Sequence, residues 1–84
     1  MNLTDAVTDA VRECFRVALN LDDARMATLG PDTRVGLLQG WDSLGHVKLV
    51  LEIERAFDIE FDDLEILDLV TLPAIVEAVA KKRR

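Results

Sequence analysis

Sulfur chemistry has little to work with in this chain: Cys14 is its only cysteine. No internal disulfide can form, and a reducing compartment, the cytoplasm, is the expected setting. No apolar run approaches the ~18 residues that a membrane span needs, so no membrane partner is expected. The start, MNLTDAVTDAV, has no basic segment followed by an apolar block, and is not read as a signal peptide. Only one histidine is present, so a cysteine–histidine zinc cluster is excluded. No glycine-rich phosphate loop occurs either. Basic residues are the scarcer charge: 10 Lys and Arg stand against 16 Asp and Glu, a net charge of −6. Lys81, Lys82, Arg83 and Arg84 end the chain, so the preceding body is more acidic still. Such a body repels nucleic acid and membrane phosphates and favours basic protein partners. The basic tail 81–84 is read as a solvated helix end that suits the negative pole of the helix dipole.

What is present is a small core. Half of the 84 residues are hydrophobic, which argues against disorder. The length suits one domain, 1–84, burying only roughly 60% of its unfolded surface. Val7, Ala10, Val11, Cys14 and Ala18 recur at helical spacing, with Arg12, Glu13 and Arg16 turned away. This predicts a helix over 5–19, capped by Thr4 or Asp5. Residues 20–42 lack a clear period. Gly30-Pro31-Asp32 marks a turn, Leu29, Val35, Leu37 and Leu38 are candidate anchors, and a short helical turn fits 22–27. A second long helix runs from Ser43 to Phe57 with Asp42 as N-cap. A short one spans 62–67. The last begins after Thr71, with Pro73 in its first turn and Leu72, Ile75, Val76 and Val79 facing inward. No segment alternates with period two. The fold class is therefore all-α: a small four-helix bundle of three longer helices and one short one, with a long loop between the first and second.

The helix 43–57 carries more apolar residues than one stripe needs. At 100° per residue, Leu49, Val50, Ile53 and Phe57 form one face. Leu44, Val47 and Leu51 form another, roughly opposite. One small helix cannot easily bury both. Either the 20–42 loop covers the second face, a reading that applies best to Leu44, or that face meets a partner or cargo.

Ser43, at the start of this helix, has three possible roles. As a nucleophile it lacks the strand-turn-helix elbow: position 41 is Trp where Gly-x-Ser-x-Gly needs glycine. His46 lies one turn on, but a same-helix pair builds no pocket or oxyanion hole. As a cap Ser43 is redundant beside Asp42. As an attachment point it is well placed, because a helix start favours a phosphate. The acid run Asp58, Glu60, Asp62 does not make a calcium loop, since positions six and twelve would be Asp63 and Leu69 rather than Gly and Glu.

Asp42-Ser43-Leu44 resembles the Asp-Ser-Leu motif of acyl carrier proteins. The similarity extends to Gly40, to Val47, Leu49, Val50, Ile53, Glu54 and Phe57, to the acidic short helix after Phe61, and to Leu69, Thr71, Leu72, Ile75 and Val76. It covers about residues 32–80. The resemblance implies an acyl-carrier-like fold and a carrier rather than an enzyme. It implies that Ser43, flanked by Asp42 and Leu44, carries covalent 4′-phosphopantetheine as cofactor. A phosphopantetheinyl transferase would install the arm from coenzyme A, and an acyl or aminoacyl ligase and downstream enzymes would load and unload its thioester. Trp41, Val47, Lys48, Leu51, Glu54 and Arg55 are the candidate partner contacts, no metal is implied, and a monomer is expected. For Trp41, packing against loop or core is the competing reading. His46 is read as facing water or bonding the prosthetic phosphate. Carriers of primary fatty acid synthesis usually follow the serine with Leu-Asp and have Glu where Lys48 stands. Here Leu44 is followed by Gly45-His46, and Lys48 and Arg55 balance Glu52 and Glu54. That pattern resembles stand-alone carriers of specialised pathways. The alternatives are a primary fatty-acid carrier and, in another class, an unmodified helical interaction module.

Overall fold

The computed structural model describes residues 3–82, with side chains from residue 6. Five helices follow one another: α1 (Leu3–Leu19), α2 (Asp23–Met26), α3 (Ser43–Phe57), α4 (Asp63–Leu67) and α5 (Leu72–Lys82). The three long helices and the short α4 are those the periodicity predicts, and α2 is the helical turn expected inside the long loop. No strand occurs among the described residues; one β-bridge joins Arg34 to Thr71.

Burial explains why these segments pack. Val7, Val11, Cys14 and Phe15 of α1 meet Leu49, Val50 and Ile53 of α3 and Leu72, Ile75, Val76 and Val79 of α5. Each such side chain contributes about 1.5–3 kcal/mol when fully buried. The α1 stripe differs from expectation at its edge. Ala10 is exposed, while Phe15 is fully buried. At 100° per residue Phe15 and Ala10 flank the Cys14–Val11 stripe on opposite sides, and it is the Phe15 side that the rest of the core covers. The helix begins at Leu3, so Thr4 and Asp5 lie inside it rather than capping it.

The long loop is held by its own side chains. Leu21, Leu29, Leu38 and Trp41 are buried, and Val35 packs against the core. Leu37, expected as an anchor, is 71% exposed, and its neighbour Leu38 takes the inward place. Arg12 is not turned away to water. Its guanidinium donates to the Leu29 carbonyl at 2.6 Å and the Met26 carbonyl at 3.0 Å, fastening the loop to α1.

Local chemistry sets the helix ends. Asp42 Oδ1 accepts from Gly45 N–H at 2.9 Å, the predicted cap of α3. Asp58 ends α3 in the left-handed conformation, φ 54°, which short polar side chains tolerate better than others. Asp62 and Glu65 form a reciprocal capping box on α4. Thr71 Oγ1 accepts from Ala74 N–H at the start of α5. The C-terminus of α5 is more than a solvated end: Lys82 pairs with Glu65 at 3.0 Å and sits 5.5 Å above the Phe61 ring. Arg83 and Arg84 lie outside the described residues. The Asp62 backbone N–H, followed by Lys82, holds the Glu65 carboxyl below the ordinary carboxylate range. Among the described residues no helix is long and apolar enough to cross a membrane.

Candidate functional site

Ser43 is the first residue of α3, and its side chain is exposed. The segment before it is fixed from below. Trp41 is fully buried, its ring edge-on to Phe15 at 4.8 Å between centroids. Its N–H donates to the Leu38 carbonyl, and its own carbonyl accepts from Gly36 N–H at 2.7 Å. Asp42 takes the N–H of Gly45 on its carboxylate and that of His46 on its carbonyl. The N–H groups of Ser43 and Leu44 in the first turn are left without an intrahelical acceptor. An exposed hydroxyl thus stands at the positive end of a fifteen-residue helix.

Trp41 offers no surface to a partner: with no exposed area it is a core anchor, and its candidacy as a partner contact is withdrawn. His46 faces neither water nor a phosphate alone. Its Nδ1 accepts from the Trp41 indole N–H at 3.0 Å, and Nε2 lies 3.4 Å from the Ile66 carbonyl. Both ring nitrogens are engaged away from Ser43, so the pair makes no serine–histidine nucleophile.

The outer face of α3 is exposed as the two-face pattern predicts. Leu44 is 65%, Val47 56% and Leu51 60% exposed; the loop covers none of them. Their charged neighbours are unequal. Arg55 pairs with Glu52, which lowers the Glu52 carboxyl through that hydrogen bond. Glu54 turns its carboxylate to the Phe61 N–H at 2.8 Å, closing the end of α3 against the next segment. Glu54 is thereby committed within the chain. Among the described charged residues of this face, Glu54 and Lys48 form no ion pair, and of the two only Glu54 has a hydrogen-bond partner within the chain. Lys48 lines a groove of about 260 Å³ with Ala18, Leu19, Gly40, Asp42 and Leu44, beside the serine. A larger hollow of about 590 Å³, lined by Arg12, Leu29, Pro31, Leu72 and Val76, lies between α1, the loop and α5 and includes no residue of α3.

Gly45 had no assigned role in the sequence. A Cβ built on it would lie 1.8 Å from the Gly40 carbonyl oxygen, and 3.0 Å from Leu19 Cδ2. Gly40 itself has φ +90°, and so aims its carbonyl at the helix. A glycine in the first turn of a helix costs helix stability, and that cost is the one sequence signal for this close approach. Among the described residues no group of three or more His, Cys, Asp or Glu could hold a metal.

This arrangement, a helix-start serine on a small helical bundle, has a counterpart among known proteins. The family model described as phosphopantetheine attachment site matches residues 9–79. The chain is also 40% identical over 43 residues to an acyl carrier protein of Desulforapulum autotrophicum, an alignment covering 51% of this chain and 56% of that one. The chain thus spans little more than half the length of that relative. No solved structure matches it significantly. The chain belongs to the phosphopantetheine attachment site family, with 4′-phosphopantetheine as cofactor. The residues present suit that group: an accessible hydroxyl at a helix start for the phosphodiester, and the Lys48 ammonium along the adjoining groove.

Proposed function

We propose that this protein carries an acyl or aminoacyl group as a thioester on 4′-phosphopantetheine esterified to Ser43, and delivers it to the enzymes of a specialised pathway. The supporting observation is the exposed Ser43 at the start of α3, beside three large apolar side chains that stay more than half exposed among the described residues. When bound, the arm supplies the thiol that holds the cargo. The chain's own residues do the rest. Asp42 caps α3 and holds the serine at its first position; Trp41 anchors the approach; Leu44, Val47 and Leu51 present the apolar contact for the transferase, the ligase and later enzymes. Charge complementarity governs encounter and partner choice more than raw affinity. With Glu54 committed to Phe61 and Glu52 to Arg55, the outer face of α3 offers Lys48 as its unpaired charge. A partner with a basic rim, suited to acidic carriers, meets like charge there.

Intact mass tests the attachment. Incubation with coenzyme A and a broad-specificity phosphopantetheinyl transferase adds one phosphopantetheinyl group to the protein and none to Ser43→Ala. A folded protein that gains nothing, even with its cognate transferase, is an unmodified interaction module. Alkylation at pH 8 then labels the product once and the unmodified protein not at all. Cys14 is 3% exposed, and burial pushes its thiol up to about 11, so it stays protonated and covered at that pH. The pathway reading has a separate check. The ketosynthase and malonyl transferase of primary fatty acid synthesis accept the modified protein at well under the rate of their own carrier. Equal rates make this a primary fatty-acid carrier.

A further inference from the structure

The imidazole of His46 joins two elements that otherwise share little. An indole N–H only donates, so the Trp41 bond requires Nδ1 of His46 to be the unprotonated acceptor. The ring proton is then on Nε2, which faces the Ile66 carbonyl at 3.4 Å. One neutral tautomer satisfies both contacts, and the other satisfies neither. The two ends of this bridge matter. Trp41 lies two residues before Ser43 and, with no exposed area, fixes the attachment segment to the core. Ile66 lies in the last turn of α4, a five-residue helix with no fully buried residue of its own. A helix that short does not hold itself in place. Its position depends on Ile66, which packs part-buried against the core, on Leu69 behind it, on the Lys82–Glu65 pair and on the His46 contact. On its outer side α4 exposes Leu64 (76%) and Leu67 (70%). The apolar side chains of α3 and α4 can act as one docking surface only if the two helices keep a fixed relation.

We infer that His46 is a positioning residue: as the Nε2-protonated tautomer it ties the Trp41–Ser43 segment to α4, so that an enzyme docking over Ser43 meets α3 and α4 as one preorganised face. This rests on Ser43 being the attachment site. Its effect is on docking and not on the ester-forming step, because neither imidazole nitrogen is directed at Ser43.

The tautomer is read directly in the unmodified protein by nitrogen NMR of the single histidine. Nδ1 should show the shift of a bare, accepting nitrogen and Nε2 that of a protonated one, with the Trp41 indole proton protected from exchange. A majority of the Nδ1-protonated form overturns the inference whether or not any variant folds. For function, Ser43 modification is followed with the broad-specificity transferase. His46→Ala should raise KM for the carrier about tenfold, the order expected when preorganisation is lost, with kcat within about twofold. Trp41 emission should shift to the red. His46→Asn, which returns an acceptor near the Nδ1 position, should recover the indole signal and most of the KM. Unchanged KM in a folded His46→Ala protein, or a fall in kcat alone, overturns it. If the parent protein takes no phosphopantetheine, the attachment reading fails and the NMR result still stands on its own.

Discussion

Replacing Trp41 by alanine removes a large share of the stability of this protein, while replacing Val47 or Leu51 by alanine leaves it nearly unchanged. The indole is fully buried, packs edge-on against Phe15, and has its N–H satisfied by His46. Truncating a buried aromatic to alanine costs about 3–5 kcal/mol. A chain of this length has about 4–12 kcal/mol in total. Val47 and Leu51 are more than half exposed, so their removal shifts stability by about 0.5 kcal/mol or less. Urea unfolding followed by helical circular dichroism separates the two classes. Trp41→Phe keeps the ring contact, loses the bond to His46, and falls between them. A Trp41→Ala protein within about 1 kcal/mol of the parent would return Trp41 to the partner contacts.

The periodic parts of the fold were legible because one face of each long helix is buried. Spacing alone located α1, α3 and α5, and the capping residues Asp42 and Thr71 marked two helix starts; Asp62, read as the first residue of the short helix, caps it instead. The loop was harder. Leu29, Leu37 and Leu38 have the same hydrophobic character, and only the path of the chain through Gly36 and Leu38 decides which points inward. Arg12 misled for a related reason: a charged residue off the apolar stripe reads as solvated, yet its guanidinium binds two carbonyls 14 and 17 residues away. Such long-range pairings leave no local signal.

At the site the division is similar. Ser43, its Asp42 cap and the outer apolar face could be read from the Asp-Ser-Leu motif and the helical wheel. Family membership then followed from the match over residues 9–79. The roles of Trp41, Gly45 and His46 could not be read that way. They form one packed unit across the helix start, in which the indole meets the imidazole and the glycine admits a loop carbonyl. In the sequence those residues looked like a departure from carriers with Leu-Asp after the serine, and hence like a mark of pathway. In the fold Gly45 and His46 have a packing reason as well. Lys48, with no ion-pair partner and lining the groove beside the serine, is the departure for which the packing supplies no reason.

That packing reason makes Gly45 the most restrictive position around the serine. On helix propensity alone, Gly45→Ala should stabilise α3 by about 1 kcal/mol. The geometry reverses the sign. The new Cβ would lie 1.8 Å from the carbonyl oxygen of Gly40, which is main chain and cannot rotate aside as a side chain would. Forcing atoms into such a space costs about 1–3 kcal/mol, so the alanine variant is less stable than the parent. Gly45→Asp, which restores the Leu-Asp of primary fatty-acid carriers, adds a carboxylate where the carbonyl already stands, and costs more. In both variants the segment 40–42 must move, carrying Ser43 with it. A displacement of about 1 Å at a reacting group can cost on the order of a hundredfold in rate. Ser43 phosphopantetheinylation is therefore expected to slow by tenfold or more in Gly45→Asp, even where the protein remains folded. Gly30→Ala is the control. Nothing lies within 4 Å of a Cβ at Gly30, so stability and modification rate should match the parent or improve slightly, through the lost freedom of the unfolded chain. A Gly45→Ala protein more stable than the parent, with its serine modified at full rate, would mean that the loop carbonyl is not held against the helix.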